Sequence, residues 1–143
     1  MLETIIAKAR ENGDFQAVAD AIPYMSFLGL RVQPGAEGLL CILPPDQKLV
    51  GNIMLPALHG GVVGAFLESA AIMQLFYGLK AMHVPKTVDI TIDYLRPVKP
   101  EETFALGIIT KQGRRIANVR VEAWQGEDRQ RLVAAAHGHF LLS

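Results

Sequence analysis

The spacing of apolar residues at the start of the chain is that of a helix. It predicts an amphipathic helix over Leu2–Glu11 that is stopped by Asn12-Gly13. A second helix is predicted to run from an N-cap at Asp14 to just before Pro23. Residues 1–22 are therefore expected to form a helical extension ahead of the main domain.

Two extended segments follow, over residues 30–33 and 39–43. Pro34-Gly35 supplies turn chemistry between them, and Pro44-Pro45 ends the second. They are expected to be a first pair of short strands.

The longest apolar run lies over Gly60–Met82. The polar residues within it are Glu68, Ser69, Gln74 and Lys80. A membrane-spanning helix is the alternative for a run of this length, but these polar residues and the histidines that flank the run disfavour it. The run is expected to be a long helix buried within the domain.

Beyond this helix the period changes to two, as in strands that bury one face. Over Thr87–Tyr94 the apolar positions are 88, 90, 92 and 94. They alternate with the polar positions 87, 89, 91 and 93, so Thr87 and Asp89 are expected to share the polar face. Further strands are predicted over 103–111, 115–124 and 131–142, with a hairpin turn at Gln112-Gly113 between the first two.

This order of elements predicts an α+β chain in which one long central helix is wrapped by a curved antiparallel sheet of about six strands. A helix that is apolar on every side needs cover on every side. One sheet covers most of it, and a second copy of the chain can cover the rest. We therefore expect a single domain over residues 1–143 that assembles as a homodimer.

Composition narrows the classes of function. Acidic and basic residues balance at 14 each and 50% of residues are hydrophobic, so a globular chain that does not bind nucleic acid is expected. The one cysteine, Cys41, excludes an intramolecular disulfide or a cysteine-cluster metal site, and is expected to be buried and inert. The N-terminus lacks a secretory signal pattern, so a cytoplasmic location without membrane association is expected.

Glu68 is the one ionisable residue in the middle of the predicted helix. At about 100° per residue it shares a face with mostly small residues: Gly61, Gly64, Ala65, Ala71, Ile72 and Leu75. The opposite face is bulky and suits packing on the sheet, with Val63, Phe66, Ala70, Met73 and Tyr77. An ionised carboxylate is costly to bury without a partner. Glu68 is therefore a candidate catalytic group, with pairing to an arginine or exposure at a subunit interface as the alternative.

His59-Gly60-Gly61 stands where this helix begins. The first amides of a helix lack intrahelical partners and carry the positive end of its dipole, and glycines let a substrate approach closely. Such an amide can form an oxyanion hole, although a plain glycine-containing helix start is the alternative. His59 and Glu68 project roughly 180° apart and lie about 13 Å apart along the axis. If they cooperate, the site has to combine elements of two subunits.

The segment 52–71, NIMLPALHGGVVGAFLESAA, resembles the signature of hotdog-fold thioesterases of the phenylacetate-degradation (PaaI) type. In that family an Asn precedes His-Gly-Gly, and an Asp or Glu follows nine residues after the His. The segment TVDITIDYLRP, which begins at Thr87, and the Gly113-Arg114-Arg115 turn are similar to later family segments. The resemblance covers most of the chain from about Ile22 onward. It implies the hotdog fold and hydrolysis of an acyl- or aroyl-CoA to the free acid and CoA.

The resemblance implies the following chemistry. The Gly60 N–H polarises the thioester carbonyl. Glu68 of a neighbouring subunit acts as general base on water, or attacks directly to give a mixed anhydride. Many family members have Asp at this position, so the longer arm of Glu68 leaves both routes open.

Supporting roles are implied for other matching residues. Asn52 and His59 position the thioester or the water, and the Thr87 hydroxyl helps to hold that water. Asn52 stands seven residues before His59, whereas some family members have it six before. Gly61 and Ile72 are expected to line the substrate site.

Coenzyme A is implied as part of the substrate, with no metal or organic cofactor. Basic side chains suited to its phosphates are Arg96, Lys99, Lys111, Arg114 and Arg115. Arg114 and Arg115, beside the glycine turn, are favoured, and a solvated surface charge is the alternative for each. His137 and His139 lie on one face of the last predicted strand and are expected to be surface histidines, because no third metal ligand is apparent.

Other functions and assemblies stay open from the sequence. A hotdog hydratase or dehydratase also pairs a His with a carboxylate, at a different spacing. A non-catalytic acyl-CoA-binding protein could use the same pocket. The resemblance also allows a tetramer built as a dimer of dimers.

Overall fold

The computed structural model describes residues 1–79 and 81–142. Its α-helices are α1 Leu2–Asn12, α2 Phe15–Ala21, α3 Pro23–Leu28 and α4 Gly60–Gly78. Its strands are β1 Arg31–Gly35, β2 Gly38–Leu43, β3 Val50–Asn52, β4 Ala57–Leu58, β5 Lys86–Tyr94, β6 Thr103–Gln112, β7 Ile116–Gln125 and β8 Leu132–Leu141. A short 3-10 turn, Gln47–Leu49, precedes β3.

The main sheet has six strands in the order β1-β2-β6-β7-β8-β5, and all neighbours are antiparallel. This sheet packs on α4 through β2, β6, β7 and β8. Strands β3 and β4 form a separate hairpin just before α4. The predicted α+β hotdog architecture, a long central helix with a six-stranded antiparallel sheet, is confirmed.

The two predicted N-terminal helices are confirmed, together with the signals that bound them. Gly13 ends α1 in the left-handed region at φ 78°, and the Asp14 carboxylate accepts a hydrogen bond from the Ala17 amide at 3.2 Å. The sequence did not reveal α3. Pro23, expected only to follow a helix, instead lies in the first turn of α3, where its missing N–H removes no helical hydrogen bond.

Helix α4 carries the core, and most of its side chains are buried. By length and composition alone α4 could cross a membrane, but 72% of its most apolar window is buried inside the protein. Burial on the sheet and the N-terminal helices accounts for its apolar character.

The C-terminal end of α4 is held by α1. The helix ends at Gly78, before the end of the apolar run, and Lys80 lies outside the described residues. The guanidinium of Arg10 donates to the carbonyl of Phe76 at 3.3 Å and to that of Ala81 at 2.6 Å. Carbonyls at a helix C-terminus lack intrahelical partners and carry the negative end of the dipole, so Arg10 caps the helix.

Gln74 is a polar residue that forms a hydrogen bond within the core. Its side chain is buried, and its Oε1 accepts the Leu39 amide N–H at 3.0 Å. A buried amide without a partner costs about 1–3 kcal/mol. Gln74 therefore ties α4 to β2 and satisfies a group that an apolar side chain would leave unpaired.

Cys41 lies on β2 with its side chain fully buried. Burial raises the pKa of the Cys41 thiol to about 12, because the thiolate is poorly stabilised away from water. The prediction that this thiol is buried is confirmed, and its lack of reactivity remains a prediction.

Strand β5 forms one edge of the main sheet, and a bulge interrupts its alternation. Thr87 lies opposite Phe140 and Asp89 opposite His139, so Val88 is the extra residue. A bulge shifts the phase of the side chains that precede it. Thr87 therefore faces α4, and the expectation that it shares the polar face of β5 with Asp89 is wrong.

Candidate functional site

His59 is the N-cap of α4, and its imidazole is part of the cap. Its Nδ1 accepts a hydrogen bond from the Gly61 amide N–H at 2.9 Å. An imidazole nitrogen that accepts carries no proton, so the neutral ring carries its proton on Nε2. The Gly61 N–H is thereby engaged by His59, and the predicted substrate contacts of His59 and Gly61 remain predictions.

The backbone around His59 is fixed by the hairpin of β3 and β4, the 3-10 turn before it and the loop after β5. The His59 amide donates to the Leu49 carbonyl at 2.9 Å, and the Leu58 amide donates to the Val98 carbonyl at 2.8 Å. Gly51 on β3 approaches so closely that a Cβ there would lie 2.6 Å from the His59 Cα. The hairpin, which the sequence did not predict, therefore sets where α4 begins.

The Gly60 amide is a free donor at this helix start. Within residues 1–79 and 81–142 its N–H has no hydrogen-bond acceptor, and Gly60 is exposed. The positive end of the α4 dipole lies at this amide. The Gly60 N–H can therefore donate to an oxygen that gains negative charge.

Tyr94 contacts the same turn and was not predicted as a site residue. Its hydroxyl donates to the Gly60 carbonyl at 2.8 Å. The sequence assigned Tyr94 only as an apolar position of a strand. No local signal could have shown this bond, because its partners are 34 residues apart.

Glu68 lies half-buried in the middle of α4, and Thr87 contacts it. The Thr87 hydroxyl donates to the Glu68 carboxylate at 2.8 Å. No salt bridge to Glu68 is found among the described residues, so the alternative of pairing with an arginine is not seen there. The structure brings together these two predicted site residues, although their catalytic roles remain predictions.

The two halves of the candidate site are apart within one chain. Gly60 and Glu68 are eight residues apart on α4, about 12 Å along the helix axis. Thr87 contacts Glu68, and Tyr94 contacts Gly60. These two residues lie near opposite ends of β5, more than 20 Å apart at about 3.3 Å per residue. The carboxylate and the free amide are therefore at different ends of one edge strand.

Asn52 has a visible role in its own loop. Its Oδ1 accepts the amide N–H groups of Met54 at 2.9 Å and Leu55 at 3.2 Å, which is the hydrogen bonding of an Asx turn. Its predicted contact with substrate or water remains a prediction.

An open groove of about 380 Å³ lies beside Gly60. Most of its lining is apolar, and its residues include Leu55, Leu58, Val63, Tyr94, Leu95 and Val98, with Asn52 and Arg96 as polar members. Ile72, predicted to line the substrate site, is buried on α4.

Two of the basic candidates, Arg96 and Arg114, lie beside different grooves. Arg96 lies by the Gly60 groove, and its guanidinium donates to the Leu132 carbonyl. Arg114 lines a second groove of about 600 Å³, next to Leu79 at the far end of α4. The remaining basic candidates, Arg115, Lys99 and Lys111, are exposed.

His137 and His139 both lie on the outer face of β8, as expected of surface histidines. The Nδ1 of His139 lies 2.7 Å from the Asp89 carboxylate. In the part of the chain that the structure describes, no group of three or more His, Cys, Asp or Glu could hold a metal ion. That the reaction needs no metal remains a prediction.

Sequence comparison finds both a matching family and similar proteins. The family model of the thioesterase superfamily matches residues 55–132. The medium/long-chain acyl-CoA thioesterase YigI of Escherichia coli K12 is 28% identical over 135 residues, covering 85% of this chain and 86% of YigI.

Solved structures show the same fold. A protein from Chromobacterium violaceum is 40% identical, with a TM-score of 0.79, over 98% of this chain and 97% of its own. A phenylacetic acid degradation-related protein from Ralstonia eutropha JMP134 has a TM-score of 0.75 at 20% identity, over 89% of this chain and 95% of its own. At this lower identity the likeness concerns the fold alone.

Proposed function

The chain belongs to the thioesterase superfamily, and we propose that it hydrolyses acyl-CoA thioesters to a free acid and CoA at a site shared between two subunits. One observation carries the proposal. Glu68 lies midway along a buried helix with a hydroxyl donor at 2.8 Å and no cationic partner among the described residues. A carboxylate held in this way can act on water or on a thioester carbonyl.

The position of β5 supports the shared site. A long strand at a sheet edge presents unpaired N–H and C=O groups, which favour pairing with another strand. Antiparallel pairing of β5 with its copy about a two-fold axis would place Thr87 near Tyr94 of the partner subunit. Glu68 of one protomer would then approach the Gly60 amide of its partner. A tetramer made by two such dimers remains a prediction.

The proposed mechanism has three steps. The thioester carbonyl oxygen accepts the Gly60 N–H. Glu68, oriented by Thr87, takes a proton from water as the water oxygen attacks the carbonyl carbon. The tetrahedral intermediate, its oxyanion stabilised by the amide and the helix dipole, then breaks the C–S bond and releases CoA thiolate, which is protonated.

A covalent route uses the same groups. Glu68 attacks the carbonyl carbon, CoA thiolate leaves, and water hydrolyses the resulting mixed anhydride. Both routes give one free acid and one CoA without a metal or organic cofactor. Asn52 is proposed to position the thioester or the water, and Ile72 to line the substrate site. Arg96, Arg114 and Arg115 are the proposed contacts for the CoA phosphates.

The acyl group is proposed to be apolar and extended. YigI is a medium/long-chain acyl-CoA thioesterase, and the groove beside Gly60 has a mostly apolar lining. A cytoplasmic location, where acyl-CoA is made and used, is part of the same proposal.

A thiol-release assay over butyryl-, octanoyl-, lauroyl-, palmitoyl- and benzoyl-CoA tests the proposed activity. We expect the highest kcat/KM for octanoyl- to palmitoyl-CoA, because apolar groove surface favours each added methylene by up to about 0.8 kcal/mol. Benzoyl-CoA as the best substrate would contradict this substrate class. Tight binding of every ester without thiol release would favour a non-catalytic acyl-CoA-binding protein, and hydration of crotonyl-CoA would favour a hydratase.

His59 is expected to act mainly by holding the helix start. Asn is a preferred N-cap residue, and its Oδ1 can replace the imidazole Nδ1 as acceptor for the Gly61 N–H. We expect His59→Asn to keep kcat within about tenfold of wild type, and His59→Ala to lose more, because loss of an N-cap costs about 1 kcal/mol and loosens the turn. Steady-state kinetics on both variants measure this. Equally severe losses would show instead that the Nε2–H acts on the substrate.

A further inference from the structure

Tyr94 joins the end of β5 to the first turn of α4. Its hydroxyl donates to the Gly60 carbonyl at 2.8 Å. Its ring lies 3.7 Å from where a Cβ of Gly60 would be. Tyr94 also lines the apolar groove beside that residue.

The peptide group between Gly60 and Gly61 is held on both sides. Tyr94 bonds its carbonyl oxygen, and the Nδ1 of His59 accepts its N–H. These two hydrogen bonds hold a turn that would otherwise be flexible, because two successive glycines have wide conformational freedom and low helix propensity. Helix ends also fray when their polar groups are unpaired.

We propose that Tyr94 is a positioning residue that directs the Gly60 N–H toward the thioester oxygen. The inference rests on the proposed function, since it assigns Tyr94 to the oxyanion donor of that site. The His59 carbonyl accepts from Val63 at 3.1 Å, so the peptide that carries the Gly60 N–H is anchored on one side. Tyr94 fixes the next peptide, between Gly60 and Gly61, through the Gly60 carbonyl. With both neighbouring peptides held, rotation about the Gly60 backbone is restricted.

Strand β5 then carries two positioning hydroxyl groups. Thr87 orients the carboxylate of Glu68 near the start of the strand, and Tyr94 orients the amide of Gly60 at its end. In the proposed dimer each site would receive Thr87 from one protomer and Tyr94 from the other. The edge strand would thus set the geometry of both reacting groups against one rigid sheet.

The expected kinetic effect follows from when the oxyanion forms. The amide bonds most strongly to the transition state, so a misdirected N–H lowers kcat with little change in substrate binding. We expect Tyr94→Phe, which keeps the ring and removes only the hydroxyl, to lower kcat by about ten- to a hundredfold. KM and the thermal midpoint should stay near those of the wild-type protein.

The test combines kinetics with a binding probe. A thioether analogue of lauroyl-CoA lacks the carbonyl oxygen, so its Kd should be the same for wild type and Tyr94→Phe. Tyr24→Phe is the matched control. Tyr24 is half exposed and stacks on Phe27, and its hydroxyl has no hydrogen bond among the described residues, so this variant should keep wild-type kcat.

The outcomes separate this inference from the proposed function. Unchanged kcat in Tyr94→Phe, with Glu68→Gln inactive, would overturn the role of Tyr94 and leave the proposed mechanism standing. Weaker binding of the thioether analogue or loss of the dimer would show a structural role and overturn the inference too. Wild-type protein that releases no thiol would instead overturn the proposed function itself.

Discussion

Replacing Glu68 with glutamine is expected to lower kcat by about three orders of magnitude, within the range typical of a lost general base. Glutamine has nearly the same size, and its Oε1 can still accept the hydrogen bond that Thr87 donates to Glu68 at 2.8 Å. The change therefore removes the charge and leaves the packing of α4 intact. Thiol release under substrate saturation measures the effect.

Controls for this variant separate chemistry from folding. The thermal midpoint and the oligomeric state of Glu68→Gln should match those of the wild-type protein, because a half-buried carboxylate without a salt bridge stabilises the fold little. Gln74 on the same helix gives a contrast. It is buried and bonded to Leu39, so Gln74→Leu should lower stability more than Glu68→Gln does. Near-normal turnover by Glu68→Gln would remove Glu68 from the mechanism.

Two variants that are inactive alone are expected to restore activity when they form a heterodimer. The first is Glu68→Gln. The second is Gly60→Pro, which deletes the proposed oxyanion donor, and loss of one such donor costs about 10²–10³ in kcat. If each site takes Gly60 from one protomer and Glu68 from the other, the heterodimer contains one intact site and one doubly altered site.

Gly60→Pro is expected to leave the fold at the start of α4 intact. Proline suits the first position of a helix because its missing N–H has no intrahelical role there. His59 has φ −60° and ψ 133°, a conformation that a residue before proline readily adopts. The nearest atoms to a Cβ at Gly60 are those of the Tyr94 ring at 3.7 Å, which is ordinary contact.

Differently tagged variants, co-expressed and purified as heterodimers, give the measurement. The expected kcat per heterodimer is about half that of the wild-type dimer, since one of its two sites is intact. A purified heterodimer as inactive as either parent would contradict the shared site and favour a site within one chain. Wild-type and Glu68→Gln heterodimers, expected to retain about half the activity, control for tagging.

The sequence alone determined the elements whose signals are local. Periodicity showed α4 and the strands after it, and the cap and stop at Asp14 and Gly13 bounded the first helices, because such patterns reflect the conformation and burial of neighbouring residues. The motif from Asn52 to Glu68 identified the family. The same motif marked Gly60 and Glu68 as candidates.

Only the tertiary structure decided how those candidates are oriented. The bulge at Val88 turns Thr87 toward Glu68, contrary to simple alternation, because the register of β5 depends on its pairing with β8. The hydroxyl of Tyr94 reaches Gly60 across 34 residues of chain. The imidazole of His59 is held by Gly61, within a helix start that the β3–β4 hairpin positions. The identity of each side chain is known from the sequence, but the direction of each donor and acceptor is set by packing between distant segments.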